Sequence, residues 1–64
     1  INRNIILGDL NRYVEALRAG GRLLVSGFLV EDAPIIEAAA AEHGLRLVER
    51  LDEDGWVAEM YSKE

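Results

Sequence analysis

A chain of 64 residues forms at most one small domain, and at that size folding buries only about 60% of the surface that the unfolded chain exposes. It contains no Cys and a single His, so neither a disulfide framework nor a zinc site can staple a small core. Twelve acidic against seven basic residues give a net charge of −5, which argues against a nucleic-acid module working through phosphate contacts and suits a basic partner.

No apolar run reaches the length of a membrane span and no signal-peptide pattern opens the chain, so a soluble cytoplasmic protein with no membrane partner is expected. The lack of Cys agrees with a reducing compartment. The first residues, Ile1-Asn2-Arg3-Asn4-Ile5, look like the end of one element running into the next, and the absence of an initial Met makes the chain read as a C-terminal piece of a larger domain.

From Ile5 to Ala19 the apolar residues Ile6, Leu7, Leu10, Val14 and Leu17 recur every three or four positions, with Tyr13 beside them. This spacing predicts an amphipathic helix with one buried stripe. Asn4 suits its N-cap, Arg18 its last turn and Gly20 the left-handed residue that closes it. Asp9 and Asp32 are further capping candidates.

The organising stretch runs from Gly20 to Leu29. Its apolar residues neither alternate nor follow a helical period, which predicts a strand buried on both faces, as in a parallel sheet, entered through Gly20-Gly21 and left through Ser26-Gly27. Val30-Glu31-Asp32-Ala33-Pro34 then carries helix-start signals. Ile35, Ile36, Ala39, Ala40 and His43 form one face of the second helix, the alanines let it lie close to a sheet, and Gly44 ends it.

Leu45 to Leu51 reads as a strand with Leu45, Leu47 and Leu51 on one side, interrupted there by Glu49, and Arg46, Val48 and Arg50 on the other. Asp54-Gly55 is a hairpin signal because both residues tolerate positive φ, and Trp56 to Tyr61 is the return strand. The order helix, strand, helix, strand, turn, strand looks like the tail of a doubly wound α/β sheet, with part of the sheet lying elsewhere.

Ligands of such sheets collect beyond the carboxyl ends of the strands, which makes Ser26 and Gly27 candidate site residues, with Glu31-Asp32 beside them. The plainer reading, a serine and a glycine that turn the chain from strand to helix, is preferred on sequence alone. Asn2, Arg3 and Asn4 place carboxamides where they could orient a substrate amine, although capping explains Asn4 equally well. His43 has no Ser or Cys at a nucleophile spacing, Asp52-Glu53-Asp54 lacks the ligand pattern of a calcium loop, and Trp56 reads as packing. There is no Gly-x-Ser-x-Gly elbow, no Gly-x-Gly-x-x-Gly and no P-loop.

Five stretches together resemble the C-terminal end of the PrmA-type ribosomal protein methyltransferases. They are Asn2-Arg3-Asn4-Ile5-Ile6-Leu7, Arg18 through Phe28, Glu31-Asp32, Gly44 through Arg50, and Gly55-Trp56-Val57-Ala58. The resemblance covers nearly the whole chain. It implies a class I, Rossmann-like methyltransferase sheet with S-adenosylmethionine as cofactor, and as substrate the amino groups of ribosomal protein eleven of the large subunit, a basic protein that fits the acidic balance here. It also implies that the strand from Trp56 inserts antiparallel between the other two. The family's cofactor loop, its ribose-binding acid and its substrate-recognition domain would precede Ile1. Its active-site Asn, in an Ala-Asn-Ile motif, would fall just before Ile1, so that Asn4 matches only a later Asn of that region. The Pro usual before the Gly-Gly pair is Ala19.

The chain is therefore expected to be an inactive part of a methyltransferase. Asn4, Ser26 and Gly27 lie on its substrate side, no residue of it binds the cofactor or a metal, and its strand edge is prone to self-association. The rival is a stand-alone α/β interaction module without activity.

Overall fold

The computed structural model describes residues 3–64. Strands β1 (Arg22–Leu29), β2 (Leu45–Glu53) and β3 (Trp56–Lys63) form one sheet in which β3 lies between the other two and runs antiparallel to both. The insertion that the resemblance implies is therefore present. Every pairing among the described residues is antiparallel. The hairpin joining β2 to β3 turns on Asp54 and Gly55, both at positive φ (52° and 82°). That is the geometry whose twist matches flanking antiparallel strands.

Helices α1 (Arg3–Ala16) and α2 (Ala33–Glu42) cover one face of the sheet, α2 being entered through a 3-10 turn at Val30–Asp32. The core is the layer between them: Ile6, Leu10 and Val14 from α1, Ala33, Ile36 and Ala40 from α2, and Val25, Phe28, Leu45, Val57 and Tyr61 from the sheet. The apolar stripe of α1 follows the periodicity at Ile6, Leu10 and Val14, with Leu7 only half-buried, whereas Leu17, also half-buried, lies just beyond the helix. In α2 the small residues Ala33 and Ala40 are buried completely beside Ile36, whereas Ile35 is exposed.

The end of α1 differs from the expectation. The helix stops at Ala16, so Arg18 lies beyond it and Gly20, although left-handed, does not close it. The Leu17 amide bonds to the Val14 carbonyl in a tightened last turn. Lys63, at the end of β3, then donates from Nζ to the carbonyls of Val14 at 2.7 Å and Leu17 at 2.6 Å. A cation supplied from the sheet takes the place of a local cap, which no reading of the helix sequence alone could find. Asn4 is likewise no N-cap, because the helix already includes Arg3. Gly44 does end α2, at φ 78°, its amide bonding to the Ala41 carbonyl.

The expectation that β1 is buried on both faces is not met. Leu23, Val25 and Phe28 turn toward the helices, while Leu24, Ser26 and Leu29 face outward and are exposed. The same open face carries Trp56, 53% exposed rather than packed. The reason is that both helices of this chain lie on one side. In β2 a register shift between Leu47 and Glu49 inserts Val48 as an extra residue. It reverses the facing of everything after it, so Arg50 pairs with Glu59 on the covered side and Leu51 moves to the open side, 64% exposed.

Candidate functional site

Sequence places Ser26 and Gly27 where β1 should end, yet the strand continues through Phe28 and Leu29. A register shift against β3 falls between Ser26 and Phe28, leaving Gly27 as the unpaired residue of a bulge at φ 83°. Only glycine takes that conformation without strain, which is why the residue stands there. A Cβ added to Gly27 would meet no atom within 4 Å, so the demand is conformational and the space around it is open. Beyond the bulge, the Val30 amide donates to the Gly55 carbonyl at 2.9 Å. That bond holds the carboxyl end of β1 against the hairpin turn.

The bulge places Ser26 between two recesses. One, of about 240 Å³, runs along the outer edge of β1 under α1, lined by Ile5, Ile6, Leu10, Tyr13 and residues 23–26. The other, shallower and of about 280 Å³, lies over the open sheet face, where Ser26 and Gly27 meet Leu51, Glu53 and Trp56. Ser26 and Gly27, adjacent in the chain, both line the second recess. Asn4 is exposed on the first turn of α1 and lines neither recess. Asn2 lies outside the described residues. The polar side chains lining the first recess are Ser26 and Tyr13, both neutral hydroxyls, and those lining the second are Ser26, Trp56 and the Glu53 carboxylate. These residues alone therefore do not fit a cofactor bearing a sulfonium, an ammonium and a carboxylate. Among the described residues no cluster of three acidic, His or Cys side chains is arranged to hold a metal, and His43 is a half-buried residue capping α2.

One polar constellation is not apparent from the sequence motifs. On the covered side of β3, Glu59 is completely buried, and its Oε1 accepts from the Tyr61 hydroxyl at 2.5 Å. Among the described residues its Oε2 has no hydrogen-bond partner, with Arg50 Nη1 standing 3.8 Å away. Arg50 is otherwise engaged: Nε and Nη2 donate to the Asp52 carboxylate at 2.7 and 3.2 Å, and Nη1 donates to Glu37 Oε2 on α2 at 3.0 Å. Burial first, then the neighbouring Glu37 carboxyl, pushes Glu59 up to about 7. Burial likewise pushes the Tyr61 phenol up, and its bond to Glu59 adds to that. The signal that could have found it is the alternation Val57, Glu59, Tyr61, which puts the acid at an inward position between two core residues.

Superposition on solved proteins identifies the architecture. The chain matches over its full length a crystal structure of a ribosomal protein L11 methylase from Lactobacillus delbrueckii subsp. bulgaricus, with a TM-score of 0.93, 23% identity and 33% of that chain covered. The fold is that of one part of the class I methyltransferase α/β sheet, the part closed by an antiparallel hairpin. No family model matches the chain. Curated relatives do: ribosomal protein L11 methyltransferases from Porphyromonas gingivalis and Bacteroides fragilis are 47% and 41% identical over 58 residues, which is 91% of this chain. The Thermus thermophilus enzyme of that name is 42% identical over 52 residues, or 81%. The chain is thus similar to one segment of the ribosomal protein L11 methyltransferases. It spans about a fifth of the length of these relatives, 20–21%.

Proposed function

We propose that this chain is a structural and substrate-side segment of an S-adenosylmethionine-dependent methyltransferase that modifies amino groups of ribosomal protein L11 in the cytoplasm. The observation that carries the reading is identity of 41–47% across nearly the whole chain to enzymes bearing that name. The net charge of −5 agrees with a basic protein substrate, and no helix among the described residues is long and apolar enough to cross a membrane.

In this reading the segment contributes position rather than chemistry. Methyl transfer to an amine needs the amine deprotonated and aligned with the donor, and it needs no protein nucleophile. Gly27 supplies an open stretch of backbone and Ser26 a hydroxyl that lines both recesses, while Asn4, on the first turn of α1, stands apart from them. The cofactor is held by other parts of the polypeptide.

The test is methyl transfer by the full-length polypeptide to purified ribosomal protein L11 with labelled S-adenosylmethionine. Incorporation into amino groups is expected, and no incorporation under conditions where a relative is active overturns the proposal. The 64-residue chain alone is expected to give no saturable binding of the cofactor at micromolar concentration by calorimetry. It is also expected to self-associate, because among the described residues β1 pairs only with β3 and its outer edge borders a largely apolar recess. A clean monomer in sedimentation at about millimolar concentration, with well-protected amides along β1, contradicts that expectation.

A further inference from the structure

We propose that Glu59 is built into the fold as the neutral acid, and that its proton is a switch on the fastening of α2 and β2 to the centre of the sheet. The argument starts from the groups that face the carboxyl. On its own strand, Tyr61 donates its hydroxyl to Oε1, while Lys63 is occupied by the α1 carbonyls. From β2 come Arg50 and Asp52, and from α2 Glu37. From β1 the facing residue is Val25, and the inward residues of α1 are the apolar Ile6, Leu10 and Val14.

Three carboxyl groups thus surround one guanidinium. Arg50 already makes a two-pronged bond to Asp52 and a third bond to Glu37, so its positive charge is shared by two carboxylates before Glu59 is considered. An ionised Glu59 would be a third anion, fully buried, with one oxygen lacking a hydrogen bond among the described residues and Arg50 Nη1 at 3.8 Å. Such a group is strongly disfavoured in a desolvated site, and a neutral carboxyl removes the conflict. The Glu37–Arg50–Asp52 link is also a tie between α2 and β2. A charge appearing on Glu59 must either be repelled by Glu37 and Asp52 or draw Arg50 away from them, and both outcomes loosen that tie.

The direction with pH follows from linkage. The folded-state value of about 7 lies above the ordinary glutamate value of 4.5. Between the two the folded protein binds more protons than the unfolded one. The stabilisation is therefore fully present below about 4.5 and is lost as pH rises through 7. The folding equilibrium constant should fall on the order of a hundredfold across that window from this group alone.

The experiment uses the full-length polypeptide in three forms: wild type, Glu59→Gln and Glu37→Gln. Stability and hydrogen exchange of the α2 and β2 amides, corrected for intrinsic rates, are followed from about pH 5 to about pH 8, a range that brackets the upper part of the transition. The glutamine amide imitates the neutral acid, so Glu59→Gln should remove this group's share of the pH dependence and protect α2 and β2 better than wild type at the alkaline end. Glu37→Gln removes a neighbouring anion and should move the wild-type midpoint to lower pH. Profiles for both variants that parallel wild type overturn the proposal. Should Glu59→Gln fail to fold, carboxyl-carbon NMR of wild type decides: a Glu59 resonance titrating near 7 supports the switch, and titration in the ordinary glutamate range of about 4 to 5 refutes it.

Discussion

On the helix-covered face of the sheet Phe28 and Tyr61 are 1% and 2% exposed, whereas on the opposite face Leu24, Leu51 and Trp56 are 53–64% exposed. The two sets sit on the same three strands, and both are large and apolar. They differ only in the layer across from each face: α1 and α2 on one side, nothing from the described residues on the other. Burial in a sheet is therefore a property of the opposing layer as much as of the strand, and a run without alternation shows that a strand can be covered twice, not that it is. The sharpest way to test the contrast is a truncation on the covered side. Phe28→Ala should cost about 3–5 kcal/mol in urea denaturation of the full-length polypeptide, through lost transfer energy and the cavity left in the core. A loss below about 1 kcal/mol would mean that this face is not a packed core.

The next effect lies at the edge between the faces. Gly27 is the bulge residue at φ 83°, with open space where a side chain would project. Gly27→Ala should therefore cost about 1–2 kcal/mol for backbone conformation alone. Gly27→Val should cost more, about 1–3 kcal/mol, because a β-branched residue fits that region worst. Ser26 lines both recesses, so under the proposed function methyl transfer by the full-length polypeptide should fall further than the stability loss of the alanine variant explains. Parallel losses of turnover and melting temperature would reduce the pair to a purely structural bulge.

A smaller effect belongs to the fastening of α1. Lys63→Met keeps most of the apolar stem and deletes two charge-assisted bonds to the helix end, so a loss of about 1–2 kcal/mol is expected. The loss should be accompanied by faster exchange of amides in the last turn of α1. An unchanged exchange pattern would show that the carbonyls of Val14 and Leu17 find water equally well.

These sites also mark where the sequence can and cannot be read. The Asp54-Gly55 hairpin, the α1 stripe and the α2 stop at Gly44 are legible because each depends on residues within a few positions of one another. The insertion of β3 between β1 and β2 comes from family resemblance, and no local pattern carries it. The two bulges are invisible in the sequence, since an unpaired residue such as Val48 or Gly27 is defined by the partner strand, and each one reverses the facing of the later residues in its strand. Alternation alone therefore assigns Arg50 to the side away from the core and gives no hint of the acid it approaches, Glu59. The end of α1 is misplaced for a related reason, its cap arriving from Lys63, 46 to 49 residues away in sequence. Of the three candidate site residues, Ser26 and Gly27 are neighbours of a recess because they are adjacent in the chain. Asn4, separated from them by a whole helix, does not join them.

The smallest effect is the one that tests the comparison from its other side. Leu24 and Leu51 protrude from the open face and line a shallow hollow of about 60 Å³ with Met60 and Ala58. In the 64-residue chain, Leu24→Ser and Leu51→Ser should each change stability by no more than about 0.5 kcal/mol, because these side chains are 63% and 64% exposed and leave little buried contact to lose. The same substitutions should also weaken self-association, since they shrink the apolar patch that invites it. In the full-length polypeptide the expectation changes: a methyltransferase sheet in α/β architecture carries helices on both faces, so each substitution should there cost about 1–3 kcal/mol as a buried truncation. Denaturation of the two forms side by side separates the possibilities. A large cost in both would show that the open face is already packed in the isolated chain, and a negligible cost in both would show that it faces water even in the complete enzyme, which would make it a surface for a partner rather than half of a core.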